Sequence, residues 1–207
     1  MAREQAVPLR CRTIALPRIE QNSAAQTVSP SLFRSKPVPT RSHHDYRRYT
    51  EHMPKLSAGL LLYRVRGGRP EVMLVHPGGP FWRDKDSGAW SLPKGEVGPT
   101  EDPLETARRE FEEETGVRPQ GELISLGEIR QKGGKIVRAW AFEGDCDPTS
   151  IKSNTFRMEW PPRSGKLQEF PEIDKAEFFT LAEARKKINP AQVAFLDTLE
   201  RIIERER

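Results

Sequence analysis

GEVGPTEDPLETARREFEEETGV, residues 95–117, is a loop followed by one helix whose start and stop are both written in the chain. Asp102 before Pro103 is a start signal, because proline at the first helical position forfeits no hydrogen bond and an acidic residue caps the positive end. Thr115-Gly116 is the stop, since glycine takes the left-handed conformation that closes a helix. Between them Leu104, Ala107 and Phe111 fall on one arc, the core face. Glu110, Glu113 and Glu114 stand at i, i+3 and i+4, so their carboxylates crowd an adjacent arc about 100° wide. Like charges so placed destabilise a helix by about 0.2–0.5 kcal/mol per pair. Glu101 adds a further carboxylate at the helix entrance.

A divalent cation reverses the sign of that repulsion, because clustered hard oxygen ligands are what Mg²⁺ or Mn²⁺ prefers. The alternative is a solvated acidic face on a surface helix. The spacing itself, Gly95, five residues, Glu101, seven residues, then Arg109-Glu110-Phe111-Glu112-Glu113-Glu114-Thr115-Gly116-Val117, resembles the signature of the Nudix hydrolases at every fixed position. The resemblance implies a metal-dependent hydrolase of a nucleoside diphosphate linked to another group X. It implies Glu110, Glu113 and Glu114 as metal ligands with Glu101 able to reach the same site, Arg109 as the partner that holds the acids, and Gly95 as the start of the wrapping loop. The lead-in Trp90-Ser91-Leu92-Pro93-Lys94-Gly95 is similar to one common in the same family, and Lys94 is its candidate phosphate contact.

The chain has 207 residues, enough for one domain with a full core, and no apolar run near the ~20 residues of a membrane span. Its net charge of +4 is uneven: residues 1–52 hold nine Lys/Arg against four Asp/Glu, leaving 25 against 26 in the remainder. The near-neutral remainder removes the argument for specific nucleic-acid binding. Two distant cysteines, Cys11 and Cys146, make no disulfide framework, so a reduced cytoplasm is the expected location. Residues 1–52 lack periodicity, are dotted with prolines and are expected to be a disordered extension before a domain at 53–207. A transit peptide, or translation starting at Met53, are the other readings of that segment, and His43-His44 is read as tail.

Residues 57–63 and 71–76 read as two neighbouring strands around Gly67-Gly68. Pro77-Gly78-Gly79-Pro80-Phe81-Trp82 is a turn-rich loop expected to wall the substrate pocket, with Phe81 or Trp82 stacking on a base. His76 reads as a packed histidine at a strand end, with catalysis as the alternative. Residues 124–130 and 136–143 form a hairpin whose Lys132, Lys135 and Arg138 could meet a polyphosphate or simply be solvated. Residues 156–160 alternate as a strand, the Pro-Pro-Arg-Ser-Gly-Lys run after it reads as a mobile loop, and 176–179 is a further strand. Residues 181–188 form a short helix stopped by Asn189-Pro190. From Ala191 onward, Val193, Leu196, Leu199 and Ile203 mark an amphipathic closing helix.

This order suggests an α/β fold with helices on both faces of a mixed sheet, and the resemblance implies the same Nudix-type α/β/α sandwich. Residues 170–179 with the helix after them resemble the tail of bacterial predicted NTP pyrophosphohydrolases and, more distantly, of diadenosine tetraphosphate hydrolases. Hydrolysing a phosphoanhydride requires neutralised oxygens, an in-line water and a carboxylate to take its proton. Glu113 is one candidate base. In several Nudix families the base lies before a late strand, where Glu172 fits best and Glu169 second; the alternative for both is a surface acid in a turn. The expected partners are a nucleotide or dinucleoside polyphosphate and no membrane, with the chain a monomer or homodimer. A nucleotide-binding module without catalysis is the competing class, disfavoured by the complete set of glutamates. An isomerase would want a catalytic cysteine, and Cys146 sits in a Gly-Asp-Cys-Asp turn.

Overall fold

Strand β1 (Leu56–Arg66) is buried on both faces over most of its length, which is why its sequence is a continuous apolar run rather than an alternation. The computed structural model describes residues 55–206. The expectations for residues 1–52, with Cys11, His43 and His44, and for a start at Met53 lie outside the described residues. Because successive side chains point to opposite faces, Ala58, Leu60 and Leu62 enter one core with Ala107 and Phe111. Leu61 and Tyr63 enter another with Phe195, Leu196 and Leu199.

The sheet grows outward from that strand. β2 (Arg69–Pro77) pairs antiparallel with β1, as does the short β3 (Lys94–Glu96). β4 (Ile124–Arg130) and β5 (Ile136–Glu143) form the expected hairpin, and β5 runs parallel to β1. The spatial order is β4-β5-β1-β2-β8, with β8 (Ile173–Thr180) antiparallel to β2 and β3 attached to β1 off that path. Helix α1 (Pro103–Thr115) covers one face. Helices α2 (Leu181–Lys187) and α3 (Val193–Glu206) cover the other. The mixed sheet between helices is thus the α/β/α sandwich expected from the sequence. None of the described helices is long and apolar enough to cross a membrane.

The helix ends follow their local chemistry. The Asp102 carboxylate accepts the N–H groups of Leu104 and Glu105, and Gly116 closes α1 at φ 70°. A capping box between Thr180 and Glu183 starts α2. Two elements depart from the sequence reading, and the first is β3, which stands where the spacing predicts the start of a loop. Residues 161–166, read as a mobile loop, close a second hairpin of β6 (Thr155–Glu159) and β7 (Leu167–Pro171). The Trp160 amide donates to the Lys166 carbonyl at 2.9 Å and that of Ser164 to the Pro161 carbonyl at 3.1 Å. β7 escapes a pattern search because its residues are nearly all exposed, so nothing in the core selects an alternation.

The two-sided core sets an expectation for stability. Leu196→Ala, at a fully buried position, should cost about 2–5 kcal/mol in urea unfolding. Leu167→Ala, where the side chain is 72% exposed, should stay within about 0.5 kcal/mol of the parent.

Candidate active site

β3 lies against β1 with Gly95 opposite Ala58, and α1 crosses directly over it. At Gly95 the approach is so close that a Cβ would stand 1.8 Å from the Glu110 carboxyl carbon. Only glycine leaves room for that side chain. One turn further along α1, Glu114 Oε2 accepts the backbone N–H of Lys94 at 3.1 Å. Glu110 and Glu114, at i and i+4, therefore face β3 together. Glu113 turns instead toward Arg109 and lines an open hollow of about 660 Å³ with Arg108, Glu112 and Arg118.

Arg109 ties the acids into a network. Its Nη1 lies 2.8 Å from Glu110 Oε1 and 2.9 Å from Glu113 Oε2, and its Nη2 lies 3.5 Å from Glu101 Oε2. Glu101 Oε2 also accepts from the Gly98 amide and the Thr106 hydroxyl, each at 3.1 Å. The Gly98 amide, with Thr106 and then Arg109, holds the Glu101 carboxyl below its ordinary range. Burial does the opposite to its neighbours: it raises Glu110 against the pull of Arg109. It pushes Glu114 from 4.5 up to about 8, although the Lys94 ammonium and amide oppose the rise. The Lys94 ammonium is itself pushed down by burial.

A cavity of about 130 Å³ opens beside this network, lined by Pro77, Ser91, Lys94, Glu114, Glu172 and Ile173 among others. It brings Glu172, the sequence candidate for the base, beside Glu114 and Lys94. Glu169 is held elsewhere: it sits on β7, accepting from the Thr155 hydroxyl and facing Arg157 at 3.8 Å. Phe81 and Trp82 do not line the cavity, although Pro77 at the start of their loop does. Both are exposed at 55% and 38%. Phe81 meets Trp160 edge to face at 5.4 Å, and the Lys85 ammonium lies 4.7 Å over the Trp82 ring. Trp160 had no signal in the sequence, because its place beside Phe81 is made by the hairpin.

The donor set fits a hard divalent cation. Glu101, Glu110, Glu113, Glu114 and Glu172 are hard oxygen donors gathered around the Arg109 and Lys94 side chains, a set whose chemistry suits a multivalent cation. Among the described residues, no three acidic, histidine or cysteine side chains already converge on one point; the Arg109 guanidinium occupies Glu110 and Glu113. Ligation would need the carboxylates to turn from it. Two other candidates, Arg138 and Cys146, are otherwise engaged. Arg138 pairs with Glu128 at 3.0 Å. Cys146 rests its sulfur 3.6 Å from that of Met73, and burial raises its thiol, which suits a structural role rather than a nucleophile.

A family model described as NUDIX domain matches residues 53–199. An RNA pyrophosphohydrolase of Bartonella henselae is 28% identical over 145 residues, covering 60% of this chain and 77% of that protein. Among solved structures, a C. elegans Ap4A hydrolase binary complex aligns with a TM-score of 0.52 at 21% identity, covering 72% of this chain and 98% of the other. A mutT/nudix family protein from Listeria innocua aligns at 0.51 with 20% identity, covering 75% and 98%. These two structures share the fold.

The raised Glu114 carboxyl has a consequence for stability. Below about pH 4.5 folded and unfolded chains both hold its proton; from there to about 8 only the folded chain does. This group's contribution to stability is therefore lost as pH rises through that window, with a slope of at most about 1.4 kcal/mol per pH unit. In chelator-treated buffer, Glu114→Gln should flatten the pH dependence of urea unfolding and be more stable than the parent near the upper end. An unchanged pH profile would contradict the buried, uncompensated carboxyl.

Proposed function

The chain belongs to the Nudix family and is a pyrophosphohydrolase acting on acid anhydrides, and from that premise we propose that it cleaves a phosphoanhydride bond in a nucleoside diphosphate linked to a further group X, with Mg²⁺ or Mn²⁺. The observation that carries this reading is the cavity shared by Glu114, Lys94 and Glu172. It sets a candidate base, a cation for phosphate and the acidic helix within reach of one small ligand group.

In this reading Glu110, Glu113 and Glu114, with Glu101 at the helix entrance, would hold the cation. Bound there, it supplies positive charge to the phosphate oxygens and acidifies water. Glu172 accepts the proton of the attacking water, with Glu113 the other candidate. The water oxygen forms a bond to phosphorus, the bridging P–O bond breaks, and the leaving phosphate takes the electron pair. Lys94 offsets negative charge on the chain being cut, and Gly95 lets the backbone come close. Arg109 draws the mutually repelling acids together and keeps them from turning to solvent. Phe81 and Trp82, exposed on the loop that begins at Pro77, offer faces on which a base stacks.

Purified protein with Mg²⁺ should hydrolyse at least one member of a panel of dinucleoside polyphosphates, (d)NTPs, ADP-ribose and 5′-triphosphorylated RNA. The similarity to an RNA pyrophosphohydrolase is the reason for including the last. Glu114→Gln keeps the shape and removes a negative ligand, so turnover should fall by orders of magnitude while the fold survives. Parent-level turnover in that variant would sink the catalytic reading. Glu172→Gln should lose about 10²–10⁴-fold, as a missing general base does; full activity there would return the role to Glu113. Independently, saturating Mg²⁺ should raise the melting temperature, by the equivalent of about 2.7 kcal/mol at a hundred times its dissociation constant.

A further inference from the structure

His76 is 2% exposed at the end of β2, and the reading above gives it no role. Its Nδ1 lies 2.6 Å from Asp174 Oδ1 and its Nε2 lies 2.7 Å from the Lys85 carbonyl oxygen. Both ring nitrogens are thus engaged, each with a partner on a separate segment of the chain. The two partners belong to different parts of the site. Asp174 is two residues from Glu172, and Lys85 closes the loop that carries Phe81 and Trp82.

The local backbone is built around this contact. β2 and β8 pair in register down to His76 and Lys175, then slip so that Pro77 faces Ile173. Asp174 is the extra residue of that bulge, and a bulge re-aims the side chain it carries. Just beyond it the Gly78 amide donates to the Glu172 carbonyl at 2.9 Å, and the Glu172 amide donates to the Asn154 carbonyl at 2.8 Å. On the loop side, turns link Trp82 to Gly79 and Lys85 to Trp82. Asp86 is fixed by the Trp90 indole at 2.9 Å and by the Lys187 ammonium. The Trp90 ring in turn meets His76 at 5.2 Å. Among the described residues, His76 is the one side chain that touches both the bulge and the loop through hydrogen bonds.

We propose that His76 is a positioning residue that couples the Glu172 segment to the Phe81–Trp82 loop, so that the base and the stacking wall keep a fixed relation. The roles of Glu172, Phe81 and Trp82 rest on the proposed pyrophosphohydrolase reading; the coupling itself does not. A ring that loses one partner also loses the orientation that holds the other, so removing either arm loosens both segments.

Amide hydrogen exchange on the full chain tests the coupling without substrate. In His76→Leu, exchange at Trp82 and Lys85 and at Gly78 and Glu172 should accelerate together by about tenfold or more, while amides of the β1–β5 ladder keep the parent rates. Asp174→Ala, at a partly exposed position, removes the strand arm alone, remains decisive if His76→Leu fails to fold, and should still speed both sets. Acceleration confined to one set, or spread evenly over the ladder, overturns the proposal. With a substrate from the panel, both variants should raise KM and lower kcat together. A fall in kcat at unchanged KM, matching the lost folded fraction, marks a merely structural histidine and also overturns it. If the parent hydrolyses nothing, the functional reading fails while the exchange result still decides the coupling.

Discussion

The passage of α1 over β3 at Gly95 is the constraint on which the rest of the site depends. The helix is held there from below by Ala107 and Phe111, fully buried against Ala58, Leu60 and Leu62 of β1. That packing fixes its height over the sheet, and at that height the Glu110 carboxyl fills the space a Cβ at residue 95 would need. Glycine is required for a reason of volume, and the consequence is chemical. Two carboxylates that solvent would otherwise separate are pressed against a strand backbone, where burial raises the proton affinity of both. Burial of the apolar face of α1, with Ala107 and Phe111 fully inside, holds the helix in this arrangement.

Arg109 moderates the same tension from the exposed side. One guanidinium reaches Glu101, Glu110 and Glu113, with the fork geometry that lets arginine serve several carboxylates at once. The cluster divides into a buried pair facing β3 and a more exposed pair facing solvent. This division is a property of the folded chain. Helix spacing alone places Glu113 and Glu114 side by side, yet neighbours on a helix diverge by 100°, and the backbone of β3 selects which of them is drawn inward.

The opposite wall is assembled from parts distant in the chain. The bulge in β8 turns Asp174 to His76, the Gly78 amide ties the aromatic loop to Glu172, and the β6–β7 hairpin sets Trp160 against Phe81. Each of these is a backbone event rather than a side-chain preference. Together they bring Glu172, more than fifty residues beyond α1 in the chain, to the same cavity as Glu114 and Lys94.

The sequence determined what depends on local spacing. The caps at Asp102 and Gly116 bound α1 where they stand, because capping is settled within one turn of chain. The unbroken apolar run of residues 57–63 marked a strand, and the order of strands and helices along the chain suggested the mixed sheet between helices. The acidic arc with Gly95 and Arg109 named the candidate site. What the sequence left open is what depends on pairing across long separations. β7 was missed because an exposed strand carries no core pattern, and the preference for Glu172 over Glu169 had no geometric ground until the hairpin put one outward and the other beside the cavity. The part of His76 was hidden for the same reason: its two partners are set by a register slip and a loop closure, and register is a property of paired strands, which no single strand contains.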